Sequence, residues 1–286
     1  MAPLLSRPGH GLLRCPICRL DLSAAAGSLV CRNRHSFDLA REGYVNLLSG
    51  QRHRPSAGGD TAAQLRYRAA FLDAGYLDAI AAAIAEHIEQ GQASVKFGAW
   101  RVLDAGCGTG QHLAKLAGAL SAPVIGLGLD ISKHAARHAS RRWPKLAFAI
   151  TDLWREWPVH DEAADLVISI FAPKNFAEIA RVLCPGGWLA VTYPGPDHLV
   201  ELNDHFALMR PYTGAARRYA EMADRLIGRR TLVRLRSRAV LDQTAIRAAI
   251  LMGPNARRIS RPALDAAPAS LDVTFDVAVL LAHKAQ

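Results

Sequence analysis

Nine residues constrain this chain more than any others: Val102-Leu103-Asp104-Ala105-Gly106-Cys107-Gly108-Thr109-Gly110, a short apolar run that ends in an acid and breaks into a Gly-x-Gly-x-Gly turn. The spacing predicts a strand, a glycine loop and a helix continuing from Gln111 to Leu120. Glycines at 106, 108 and 110 carry no Cβ, so the backbone can take positive φ and approach a ligand closely. Dinucleotide sites share this geometry, but their signature wants a third glycine three residues after the second and a pyrophosphate on the helix end. Here the third glycine comes two residues later, and Asp104 would repel a pyrophosphate. That acid suits a ligand carrying an ammonium group. Taken alone, the loop also leaves open a strand-to-helix turn that binds nothing.

The residues downstream narrow the choice. Ile125 to Asp130 is a second apolar run ending in an acid, where an α/β nucleotide site places a carboxylate for the ribose hydroxyls. Leu146 to Ile150 is a third, followed by Thr151-Asp152-Leu153, where an Asp can accept from an adenine amino group. A fourth, Asp165 to Phe171, ends at Ala172-Pro173. Successive strand ends thus present acid, acid, acid and an aromatic. The pattern resembles the class I methyltransferases, which implies an α/β, Rossmann-like sheet binding S-adenosylmethionine. Asp104, Gly106, Gly108, Gly110, Asp130 and Asp152 are the candidate cofactor residues, with His112, Ile131 and Leu153 beside them.

The text before residue 50 is of another kind. Cys15-Pro16-Ile17-Cys18, a hairpin-length gap and Cys31-x-x-x-His35 form a four-ligand set with structural-zinc spacing. A site that has lost its metal is the alternative; a disulfide fits poorly with the cytoplasmic address expected below. Closed by four protein ligands, such a site is structural, and a module this small depends on the ion to fold. Cys107 and Cys184 read as packing residues. Phe37 to Leu48 is a mixed apolar stretch suited to packing the knuckle onto its neighbour. Gln51 to Gly59 reads as a basic linker, which predicts a zinc-binding domain over 1–50, a linker over 51–59 and a methyltransferase domain over 60–286 with a core of its own.

Asp60-Thr61 caps the first of two helices broken at Gly75. After the fourth run come a helix from Lys174 to Leu183, a Pro185-Gly186-Gly187 turn, a strand from Trp188 to Tyr193 and a helix from Asp197 to Met209. Residues 231–241 and 271–283 alternate as strands, the last one antiparallel at the sheet edge, with a helix from Asp242 to Met252 between them. No run of about eighteen uncharged apolar residues appears, so no membrane span is expected and the expected address is the cytoplasm. The 286 residues carry 35 Lys+Arg against 25 Asp+Glu, a formal charge of +10. That excess suits a polyanion, although an Arg-rich proteome would produce it too. Its location is more informative: it crowds at Arg52 to Arg54, Arg66 to Arg68, Arg217-Arg218, Arg229 to Arg238 and Arg257 to Arg261.

A zinc knuckle followed by His35-Ser-Phe-Asp-x-Ala-Arg-Glu-Gly-Tyr-Val-Asn-Leu-Leu48, then Gly59-Asp-Thr61 and Arg68-Ala-Ala-Phe-Leu-Asp-Ala-Gly-Tyr76, resembles the bacterial 23S rRNA (guanine-N1)-methyltransferases, a family that includes macrolide-resistance enzymes of actinomycetes. The resemblance runs from Cys15 to Pro254 and takes in Phe171-Ala172-Pro173 and Pro196-Asp197-His198-Leu199; beyond Pro254 it stops. It implies methyl transfer to guanine N1 in a 23S rRNA hairpin by a homodimer whose zinc domain helps grip RNA. Guanine N1 carries a proton, so either a base removes it or donors on O6 stabilise the anion. His198 is the candidate base and Phe171 the candidate stacking surface for an extruded base, with a core aromatic as the plainer reading. Asp38, Tyr44 and Arg68 are further candidates for RNA contact. Two other readings stay open: a methyltransferase acting on a small natural product, and a catalytically inactive zinc-anchored RNA-binding protein.

Overall fold

Short runs of Val, Leu, Ile and Ala that are apolar on both faces need a sheet covered on both sides. A computed structural model describes residues 7–48, 59–91, 98–209 and 214–285, which fold around such a sheet. A short 3-10 turn, Pro8–Leu12, precedes a ribbon of three small antiparallel strands, β1 (Ser23–Ala25), β2 (Ser28–Val30) and β3 (Ser36–Asp38). Strand β4 (Tyr44–Asn46) follows. Helices α1 (Ala62–Asp73) and α2 (Ala79–Gln90) come next; Thr61 caps α1 by accepting from the Gln64 amide, and Gly75 breaks the pair at φ 83°.

Then the alternating units begin: β5 (Trp100–Ala105), α3 (Gln111–Ala119), β6 (Val124–Asp130), α4 (Lys133–Arg142), β7 (Ala147–Ile150), β8 (Ala164–Ile170), α5 (Phe176–Val182) and β9 (Leu183–Pro194). The chain ends with α6 (Val200–Phe206), α7 (Ala215–Leu226), β10 (Gly228–Asp242), α8 (Gln243–Leu251), α9 (Arg261–Asp265) and β11 (Ser270–Lys284). The main sheet has eight strands in the order β10-β11-β9-β8-β5-β6-β7-β4; β4 to β9 are parallel and the last two antiparallel. Reversal of strand order at β5 opens the crevice where such sheets bind ligands.

Some expectations need correction. The final strand does not sit at the edge: β11 lies between β9 and β10, because two long apolar faces are better buried inside, and the arginine-rich β10 takes the edge instead. Pro185-Gly186-Gly187 is not a turn ahead of a strand but a bulge within β9, where the register with β8 jumps from Ala164–Leu183 to Leu166–Trp188. The helix expected over 197–209 is reduced to α6, and α7 was not foreseen. No helix among the described residues is long and apolar enough to cross a membrane.

The linker expected over 51–59 lies outside the described residues except for Gly59. The residues before it do more than pack on a neighbour. Strand β4 pairs with β7 as the parallel edge of the main sheet, Tyr44 opposite Phe148 and Asn46 opposite Ile150. Leu12, Leu13, Leu29, Leu39, Val45 and Leu47 share one apolar cluster with Leu103, Leu127 and Val191. Arg7 fastens the junction, donating to the carbonyls of Leu146, Glu42 and Ser140 at 2.6, 2.7 and 3.0 Å. Zinc in small modules contributes on the order of 10 kcal/mol to folding, and here that free energy feeds a shared core. Cys18→Ser is therefore expected to lower the melting temperature in one cooperative transition and to weaken cofactor binding with it. Calorimetry showing two separate transitions would refute this.

Candidate active site and metal centre

Asp104 and Asp130 stand at the adjacent ends of β5 and β6, and the glycine loop leaves between them. The amides of Gly106 and Cys107 donate to Leu129 O at 2.8 and 3.0 Å, which folds the loop back over β6. Asp130 completes the fastening: one carboxylate oxygen accepts from Gly108 N at 2.9 Å, the other from Ser132 N at 2.8 Å. Gly106, Gly108 and Gly110 have φ values of 94°, 51° and 72°, so each holds a conformation that side chains resist. A Cβ on Gly106 would lie 2.2 Å from the Cβ of Ala172, whereas one on Gly108 would meet only Arg68, at 3.6 Å. The loop therefore abuts the Ala172 turn on one side and is open on the other.

That open side has the polarity of a cofactor cradle. Thr109 Oγ1 and Gln111 Oε1 are buried at the start of α3 without a hydrogen-bond partner among the described residues. Burial, with Asp130 beside it, pushes the Asp104 carboxyl up to about 8, and burial likewise holds Asp130 above the usual range against its two amide bonds. His112, in the first turn of α3, is kept neutral by burial and then by Arg68, its pKa falling to about 4. Ile131 follows Asp130 directly, and Asp152 leads the turn after β7, accepting from Trp154 N at 3.0 Å, with Leu153 buried beside it. These donors and acids fit a ligand with a cationic amine, a diol and an adenine, as S-adenosylmethionine has.

The second group gathers at the ends of β8 and β9. Phe171 and His198 stack with centroids 5.8 Å apart, and Phe275 closes on His198 edge-on at 6.1 Å. Phe171 and Leu199 both hold left-handed backbone, φ 50° and 54°. Strain of this kind persists where surroundings over-determine it, often at ligand sites. Here Phe171 N donates to Thr192 Oγ1 at 3.1 Å and Ser169 Oγ to Pro173 O at 3.3 Å. Burial carries His198 down to about 4, partly opposed by the charge of Asp276. Its Nδ1 accepts from the Asp276 amide at 3.3 Å, which places the ring proton of the neutral imidazole on Nε2.

One contributor, Lys174, had no sequence signal, and Arg68, a candidate for RNA contact, lies at the glycine loop instead. Lys174, its pKa lowered by burial to about 8, donates to Ala172 O at 2.8 Å and lies over the Tyr219 ring at 5.0 Å, so it braces the Phe171-Ala172-Pro173 turn. Arg68, beside the glycine loop, pairs with Asp60 at 2.8 Å and donates to Met252 O at 2.7 Å. Tyr44 is buried in β4 and is not available to RNA; Asp38 accepts from Ser28 Oγ within the ribbon at 2.9 Å.

At the other end of the chain, the ligand atoms of Cys15, Cys18, Cys31 and His35 all lie within 4.8 Å of one another. Cys15 Sγ and Cys31 Sγ are 3.5 and 3.4 Å from His35 Nδ1, and Cys18 Sγ is 3.6 Å from Cys31 Sγ. Zn–S bonds of about 2.3 Å and Zn–N bonds of about 2.0 Å imply tetrahedron edges of roughly 3.5–3.8 Å, so three thiolates and an imidazole fit a closed structural zinc site.

Sheet order, glycine loop and strand-end acids define a class I S-adenosylmethionine-dependent methyltransferase carrying a zinc ribbon. Residues 13–56 match the family model described as "RlmA, N-terminal", a zinc ribbon, and residues 102–187 match "Methyltransferase domain". The chain is 38% identical over 278 residues to the 23S rRNA (guanine(748)-N(1))-methyltransferase of Streptomyces fradiae, covering 93% of this chain and 95% of that one. Proteins of Micromonospora griseorubida (37% over 287 residues, 95% and 96% covered) and Bacillus subtilis (36% over 285 residues, 96% and 97% covered) carry the 23S rRNA (guanine-N1)-methyltransferase name provisionally. The chain belongs to this family.

Asp104 yields a prediction with two readings. A carboxyl whose pKa rises from 3.8 to about 8 on folding gives stability that is complete below about pH 4 and is lost as pH rises towards 8. Asp104→Asn, which cannot ionise, should stabilise the ligand-free protein at pH 7 by on the order of 2–4 kcal/mol, read as a higher melting temperature. It should also abolish the proton release that accompanies cofactor binding at pH 7. Calorimetry in buffers of different ionisation enthalpy measures that release; none in the wild type would remove Asp104 from the cofactor site.

Proposed function

We propose that this protein transfers the methyl group of S-adenosylmethionine to N1 of a guanine in a 23S rRNA hairpin. The observation that carries this reading is the abutment of Gly106 against Ala172, which sets the Phe171–His198 pair at the rim of the cofactor cradle. Asp130 would hold the ribose, Asp152 and Leu153 the adenine, and Asp104 with His112 the amino-acid end, while Ile131 packs beside the ribose. When bound, S-adenosylmethionine supplies an electrophilic methyl on a sulfonium. The chain's own task is to present the acceptor nitrogen in line and to make the loss of its proton easy.

Phe171 offers a stacking face for an extruded guanine. His198 is better suited to donate than to abstract: it is a weak base, and its Nε2–H is free for guanine O6 because Nδ1 is already engaged. A donor there stabilises the negative charge that O6 takes on when the N1 proton leaves to water. This supports O6 stabilisation over general-base catalysis. Small natural-product acceptors are the weaker alternative, since a zinc ribbon sharing the enzyme's core serves no need of theirs. Intact acids at three strand ends weigh against an inactive protein.

The test is incubation of the purified protein with a 23S hairpin transcript and S-adenosylmethionine, then digestion and mass spectrometry for N1-methylguanosine; an unmodified transcript sinks the reading. His198→Ala should cost about a hundredfold in kcat. His198→Gln, which retains an N–H donor, should recover much of it, and the loss in Ala should shrink as pH rises. If Gln is as poor as Ala, His198 is the base after all. The homodimer rests on the family resemblance; light scattering at twice the 30.9 kDa chain mass would support it. Macrolide resistance, which the resemblance implies for some members, is read by drug susceptibility of a strain carrying the gene.

A further inference from the structure

The arginines that the sequence singles out on the edge strand are largely spoken for. Arg230, Arg234, Arg236 and Arg238 pair with Asp224, Asp276, Asp197 and Asp272 at 2.7–3.0 Å. Excess positive charge lies elsewhere. Between α1 and α4 runs a groove of about 500 Å³ lined by Arg66, His134, Arg137, His138, Arg141 and Arg142, with Ala62 and Leu65 as its apolar floor and no acid in its lining. Arg137 and Arg141 sit one turn apart on α4 and share a single carboxylate oxygen of Glu42, each at 2.8 Å, so that pair keeps a net positive charge. Arg66 has no ion-pair partner among the described residues, and His138 Nε2 is buried there without a hydrogen-bond partner. Only Arg142, paired with Asp73 at 2.9 Å, is balanced one to one.

The groove is also a fixed shape. Ser132 Oγ donates to Asp60 O at 2.8 Å where the two helices begin, and the Arg142–Asp73 pair joins them where they end. Between these pins the ten residues of α4 span about 15 Å. One end of the groove, at His134, lies in the first turn of a helix that starts just after Asp130, beside the cofactor cradle.

We infer that the α1–α4 groove is a binding site for the phosphodiester backbone of the RNA substrate, with Arg66, Arg137 and Arg141 contacting phosphates. The inference rests on the functional reading above and names where the substrate is held. A rigid, concave, acid-free row of guanidiniums matches the repeating charge of a nucleic-acid strand, and arginine forks match phosphate oxygens.

The test measures affinity of the full-length protein for a 23S hairpin transcript against salt. Each lost phosphate contact flattens the log–log slope by about 0.7 to 0.9. Arg66→Glu should flatten it by about one unit, and Arg137→Ala with Arg141→Ala by one to two. Arg137→Lys with Arg141→Lys, which preserves the charge and Glu42's partners, should keep it, and Arg230→Ala with Arg238→Ala should leave it unchanged. Cofactor affinity by calorimetry should be the same in all of them. Because Arg66→Glu alters an exposed residue with no ion pair, it stays informative if the double alanine variant unfolds. If the wild type methylates the transcript and Arg66→Glu keeps the wild-type slope, the groove is not the backbone site. If the wild type leaves the transcript unmodified, the functional reading falls, and the slopes still decide whether the groove binds RNA.

Discussion

The carboxylate of Asp130 is the fastening on which the rest of the site depends. Strand β6 ends there, and its two oxygens hold the amide of Gly108 in the glycine loop and that of Ser132 at the cap of α4. Ser132 passes the constraint on, accepting from Ala135 N to start α4 and donating to Asp60 O where α1 begins. One buried acid thus sets the loop and two helices. Burial makes the charge costly and Asp60 makes it more so, while burial and then the charge of Asp130 raise Asp104, so both carboxyls titrate high. The cradle is tolerable empty and better satisfied by a cation. That is the electrostatic form of a site built for a sulfonium bearing an ammonium group.

The zinc ribbon stands in the same relation to the sheet. A three-stranded ribbon has too little core to fold alone, yet the strand that follows it, β4, is the edge of the main sheet and pairs beside β7, from which Asp152 emerges. Metal binding and cofactor binding therefore draw on one body of packing. Arg7 shows how far the two are joined: its guanidinium closes three carbonyls from the ribbon's tail, from α4 and from the residue before β7.

Much of this was legible in the residues. Strands buried on both faces read as unbroken apolar runs, and an acid or glycine at the end of such a run stands out, so β5 to β8 and the cradle could be placed from sequence. The four zinc ligands were legible because metal geometry fixes their spacing. What escaped detection depends on partners distant in sequence. Three residues, Tyr44 to Asn46, are too few to show a period, and Val45 joins a buried cluster with Leu12, Leu13 and Trp157 that only the folded chain assembles. β10 and β11 both alternate, so which one takes the edge turns on the arginines of β10 meeting aspartates across the strands and on the loop at Asp197. Lys174 and the stacking of His198 on Phe171 are products of tertiary folding with no local signature.

Charge is where sequence reading misleads most, because it counts residues and cannot see pairing. The segment from Arg229 to Arg238 looks the most basic in the chain, and most of its guanidiniums are neutralised; α4 drew no attention and holds the surplus. The distribution makes sense for a protein that handles a cationic cofactor and a polyanion together. A field that attracts one repels the other, so the two must be kept apart while the reacting atoms meet. Here the acids converge at the strand ends, the arginines run outward along α4, and the stacked Phe171–His198 pair proposed to meet the acceptor is uncharged. A neutral imidazole at that point can donate a hydrogen bond to a developing anion without competing for the cofactor's acids. Only the neutral ring can accept the Asp276 amide at Nδ1 while keeping the Nε2 proton for donation.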